Sequence, residues 1–189
     1  MTTPSQPKES ETAWRVGPSD PSIIGERVHN QNRAVSQFGA DKWDLTPLGG
    51  PPSQRTAVIV WTGFPPELRD AFRRAAWLLI NTATPTVMLD KPGSAAVEYY
   101  SAATIRRFVC ANWLKFAIWL QENGIASQSQ VTRTDLERYA LFIQDLDCGR
   151  RSKHAYLRGV THLWAHAPNL PAEDALPMPP WDDEPFSDF

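Results

Sequence analysis

His162 and His166 stand four residues apart in a segment with helical periodicity, so one helix face could present both. That spacing can bind zinc. A zinc-protease helix also needs a glutamate beside the first histidine, and here the sequence reads His162-Leu163-Trp164-Ala165-His166. Spacing supplies no third ligand. The plainer reading is a pair of surface or rim histidines, with no metal. Nucleophilic catalysis finds no better footing. There is no GxSxG, the ten glycines are scattered rather than grouped into a phosphate loop, and neither Cys110 nor Cys148 has a motif around it. Carboxylate pairs such as Glu67/Asp70 and Asp135/Glu137 fall at expected helix starts, where negative charge complements the helix dipole. These residues imply no catalytic site and no cofactor.

The cations are more informative. Arg150, Arg151, Lys153 and Arg158, with His154 among them, cluster at the start of an expected helix. Positive charge there opposes the dipole, by about 0.3–1 kcal/mol where exposed. A sequence that tolerates this offers Arg and Lys to an anion. Arg106 and Arg107 repeat the pattern near the start of an earlier helix. Phosphate contacts from these six residues would position a DNA duplex and weaken with salt. The charges alone fit solvated helix faces equally well.

Four helices are expected to carry these groups. The first spans about Pro66 to Asn81, with Leu68, Phe72, Ala75, Ala76, Leu79 and Ile80 at helical spacing. The second runs from Ala102 to Glu122, capped by Ser101 and closed by Asn123-Gly124. A third begins at Thr132 or Thr134, where Thr132 with Asp135 resembles a capping box, and buries Leu136, Tyr139, Ala140, Ile143 and Leu146. A fourth spans about Ser152 to Ala167, faces Leu157, Val160, Leu163 and Trp164 inward, and stops at Pro168. Residues 82–97 read as a loop. Thr56–Trp61 (TAVIVW) reads as a short extended segment with no evident partner strand.

The formal charge of −2 conceals a division along the chain. Residues 61–170 carry thirteen basic and nine acidic groups, whereas residues 171–189 carry six carboxylates and no Lys or Arg. Three regions follow: an arm over 1–55, disordered or draped through Phe38, Trp43 and Leu45; a helical domain over 56–170; and an acidic, Pro-rich tail over 171–189. The fold class expected is all-α, a small bundle of about four helices with extended arms. Eight tryptophans suit a core first and an interface second. Two cysteines give no disulfide framework, and no signal peptide or membrane span is evident, so a reducing cytoplasm is the default.

From Ser101 to Trp181 the layout resembles the N-terminal core-binding domain of phage integrases and other tyrosine recombinases. The resemblance rests on Thr104, Phe116, Trp119-Leu120, Gly124-Ile125, Val131-Thr132, Asp135-Leu136, Tyr139 and a basic start to the last helix, in that order. WDLTPL (Trp43–Leu48), FRRAAWLLINT (Phe72–Thr82), Leu163-Trp164 and LPMPPW (Leu176–Trp181) are similar to an actinobacterial integrase-like subgroup. The resemblance implies a helical bundle that clamps one face of the recombination-site duplex. It also implies a separate catalytic domain with a Tyr nucleophile and a His-x-x-Arg motif. Here the chain departs from the family: His29, His154, His162 and His166 are followed three residues later by Asn32, Leu157, Ala165 and Asn169. Eight residues follow Trp181, too few for that domain. The expectation is therefore double-stranded DNA binding without strand cleavage. The alternative is a helical protein-interaction module that has lost DNA binding, with a protein partner or the missing catalytic domain as its ligand.

Overall fold

The computed structural model describes residues 14–50, 57–89 and 98–181. Expectations for residues 1–13, Thr56, 90–97 and the stretch after Trp181 lie outside the described residues.

The fold is mostly helical but not all-α. Strand β1 (Lys42–Asp44) pairs antiparallel with β2 (Val58–Val60), setting Trp43 opposite Ile59. The expected extended segment thus has a partner after all, supplied by the arm. Each strand is three residues long, too short for a period-2 signal to stand out.

Helix α1 (Pro66–Asn81) starts on proline, whose missing N–H is no loss in a first turn. It buries Leu68, Phe72, Ala75, Ala76, Leu79 and Ile80. A short α2 (Thr86–Leu89) interrupts the expected loop. Helix α3 (Ala102–Arg107) begins at Ser101, whose hydroxyl accepts the Thr104 N–H. The helix then widens by one π turn over Phe108–Trp113 before α4 (Leu114–Glu122) completes it, and Gly124 turns the chain at φ 72°. Helix α5 (Arg133–Asp145) carries the full capping box: Thr132 Oγ1 accepts the Asp135 N–H, and the Asp135 carboxylate accepts the Thr132 N–H. Helix α6 (Arg150–Ala165) has Gly149 at its N-cap with no side-chain cap and no acid in its first turn. Pro168 does not end α6 directly. It sits in a separate 3-10 turn, Ala167–Asn169.

One aromatic chain ties the arm to the helices. Trp14, Phe38, Trp43, Trp61, Phe64, Phe72 and Trp113 follow one another at centroid distances of 4.9–6.2 Å. Phe38, Trp43 and Leu45 are all buried, so the arm from Trp14 onward is part of the core. Hydrogen bonds to the end of α1 hold it there: Asn81 accepts the Ile24 N–H and donates to the Ser22 carbonyl, Trp77 donates to the Pro21 carbonyl, and the arm's Arg27 donates to the Ile80 carbonyl.

Past α6 the chain folds back as a strap. Leu170 and Leu176 are buried, and Asp174, expected in an acidic tail, has a side chain 4% exposed that forms a two-point ion pair with Arg74. Burial alone would lower the Arg74 guanidinium pKa, and the Asp174 carboxylate, joined by the charges of Asp70 and Glu173, more than reverses this. Among the described residues no helix is long and apolar enough to cross a membrane.

Candidate nucleic-acid interface

The six cations proposed from sequence lie on two elements, and the packing of those elements decides which of them work together. Helix α6 crosses the α3–α4 helix antiparallel. Three contacts fix the register: the Phe108 and His162 rings at 4.4 Å, the Trp113 indole N–H donating to the Gly159 carbonyl at 2.8 Å, and the Lys115 ammonium 5.2 Å from the Tyr156 ring. The crossing is close because residue 159 is glycine. A Cβ there would stand 2.5 Å from the Asn112 Cβ. Such a contact is sterically prohibitive unless the helices part. The π turn is centred on this crossing and adds one residue per turn where α6 passes. Sequence reasoning missed this arrangement, although a lone glycine inside a helical pattern was its available signal.

The antiparallel register separates the cations into two groups. Arg106 precedes Asn112 by six residues and Arg151 precedes Gly159 by eight, so at 1.5 Å per residue they lie about 20 Å apart along the pair. Arg158, beside the crossing, falls between them. Its charge reaches the Tyr100 phenol, whose pKa burial raises and which Thr84 and Arg158 pull back. Arg106, Arg107, Arg150, Arg151 and Arg158 are exposed. Among the described residues no ion pair engages Arg106, Arg107, Arg151 or Arg158. Lys153 differs: it is half-buried and its ammonium donates to the Gln144 carbonyl near the end of α5, a favourable place for a cation.

The two histidines are not rim residues. His162 is fully buried, ringed by Tyr100 and Phe108, and His166 is 1% exposed. Among the described residues no three His, Cys, Asp or Glu side chains gather in a way that could hold a metal. Desolvation pushes His166 down to about 4, and its two ring nitrogens have no hydrogen-bond partner among the described residues. Both histidines fill space that their four-residue spacing alone did not reveal. Cys110 is half-buried with its Sγ 3.8 Å from the Val58 carbonyl oxygen, and burial pushes the thiol up, away from nucleophile chemistry.

What the arrangement can do is hold an extended anion. Two exposed cationic ends, with Arg158 between them, are set along the crossed helix pair. At 3.4 Å per nucleotide along a strand, the two ends span roughly six base pairs. Comparisons with family models, curated proteins and solved structures found no match to this chain.

Proposed function

We propose that the protein binds double-stranded DNA through the α3–α6 helix pair, in the cytoplasm, and has no strand-cleavage activity of its own. The reading keeps the likeness to the site-clamping half of a tyrosine recombinase. One observation carries it: Arg106, Arg107, Arg151 and Arg158 are exposed and, among the described residues, unpaired by acids on the two helices that cross at Gly159. Solvated charges kept merely for solubility tend to be interspersed with acids, as Arg133 with Glu137 and Arg138 with Asp135 are on α5.

The test is fluorescence anisotropy of a labelled duplex across a range of salt concentrations. Saturable binding that weakens steeply with salt is expected. Replacing Arg106, Arg107, Arg151 and Arg158 by alanine lowers affinity on all sequences and flattens the salt dependence, by about 0.9 in slope for each phosphate no longer neutralised. Absence of binding at low salt overturns the proposal and leaves the helical protein-interaction module.

A further inference from the structure

Lys115, Phe142 and Tyr156 meet where α4, α5 and α6 come together. The Lys115 ammonium stands 5.2 Å from the centre of the Tyr156 ring and 6.0 Å from that of Phe142. All three side chains are half-buried. Among the described residues no acid lies within ion-pair distance of that ammonium, and neither it nor the Tyr156 hydroxyl makes a hydrogen bond. Tyr139 of α5 adjoins Phe142, with ring centres 6.0 Å apart, and is 0% exposed. Its hydroxyl has no hydrogen-bond partner among the described residues. Buried polar groups are nearly always paired, so an unpaired one calls for a reason. Burial pushes the Tyr139 phenol pKa far up and the Tyr156 phenol adds to the rise. The two phenols are therefore within electrostatic reach of each other, and Tyr139 stays a donor through the neutral range.

Three helices thus bring together one ammonium and two phenol hydroxyls. A planar carboxylate offers two oxygens to such a set of donors, and a phosphate monoester offers three. We propose that Lys115, Tyr156 and Tyr139 bind one phosphate group, Lys115 as a point charge and the two phenols as neutral donors. Lys115 and Tyr156 are the more exposed members, so the phosphate enters past them and reaches Tyr139 last. Successive helical residues turn by about 100°, which sets Tyr156 about 140° from Arg151 and about 160° from Arg158 around α6. The site therefore opens on a different side of the helix from those arginines, and it does not depend on the duplex-binding reading.

The test titrates inorganic phosphate into the full chain at constant ionic strength and follows the Lys115 and Tyr156 side-chain signals by NMR. The exposed Arg106 Nε–Hε signal serves as reference. Saturable shifts at Lys115 and Tyr156 are expected, with Arg106 moving little. Lys115→Gln, Tyr156→Phe and Tyr139→Phe should each weaken phosphate by about three- to tenfold. Tyr139→Phe removes an unpaired buried hydroxyl, so its urea midpoint should hold or rise, and its weaker binding is then no sign of unfolding. Shifts that never saturate, or that Arg106 matches, overturn the site. Wild-type affinity in Tyr139→Phe overturns it as well. Acetate binding as tightly as phosphate overturns the assignment to phosphate. A labelled duplex separates the sources: duplex affinity that falls with Lys115→Gln assigns the phosphate to a nucleic-acid backbone, and unchanged duplex affinity assigns it to a small phosphate compound. If no duplex binds while phosphate still saturates the site, the proposed function falls and the phosphate site stands.

Discussion

Arg73 and Arg74 on α1 end in the protein itself. Arg73 reaches Asp70 at 3.1 Å, Asp41 at 3.5 Å and the Ala40 carbonyl at 3.1 Å, and Arg74 is clasped by Asp174. Arg106, Arg107, Arg151 and Arg158, on α3 and α6, end in solvent. The arm-and-α1 half uses its guanidiniums as ties between segments far apart in sequence. The α3–α6 face withholds them from the fold. Count of charge does not separate the two regions, since both are rich in arginine. What separates them is whether the fold also places an acid or a carbonyl at the end of each side chain. A functional reading of charge has to be made after that subtraction.

The comparison breaks most visibly at the arm. Trp43→Ala removes a fully buried ring from the aromatic chain, and urea unfolding is expected to show a loss of about 3–5 kcal/mol. If the arm were only draped, the loss would be a fraction of that. His166 gives the next largest effect. Its folded pKa lies below its unfolded value, so the unfolded chain binds the proton more readily and stability falls as pH drops from about 6.5 toward 4. About 3 kcal/mol should be lost across that window at 1.36 kcal/mol per pH unit, and His166→Phe should flatten its part of the slope. Third is the strap. Asp174→Ala leaves the Arg74 guanidinium without its acid, and because Arg74 retains some solvent contact the expected cost is about 2–3 kcal/mol in the same assay. Smallest is the opposite face: Arg106→Ala/Arg158→Ala should alter unfolding by roughly 0.5 kcal/mol or less. A larger loss there would make these arginines ties as well, and would dissolve the contrast.

Local signals in the sequence were enough for the helices. The apolar spacing of Leu68, Phe72, Ala75 and Leu79 located α1, the Ser101 hydroxyl located the start of α3, and the Thr132/Asp135 pair located α5. Each of these depends on residues within one or two turns. The features that were not legible depend on partners far away. Val58–Val60 forms a strand because Lys42–Asp44 is beside it. His162 and His166 are buried because α6 is packed on more than one side, so an i, i+4 pair does not imply an exposed face. The two cationic clusters read as one pattern in sequence and become two ends of a helix pair once Gly159 fixes the crossing. Asp174 reads as tail charge until the fold sets Arg74 opposite it.

The ties between the arm and the end of α1 join residues 53 to 59 positions apart, and the Arg74–Asp174 pair spans 100. Such contacts close large loops and form slowly compared with turns of helix. During synthesis Ile23, Phe38 and Trp43 emerge well before α1 exists to cover them, and α1 in turn waits for Asp174. These three residues, made before α1, are among the last to be sheltered, and the interval before they dock is when the chain is most exposed to aggregation and proteolysis.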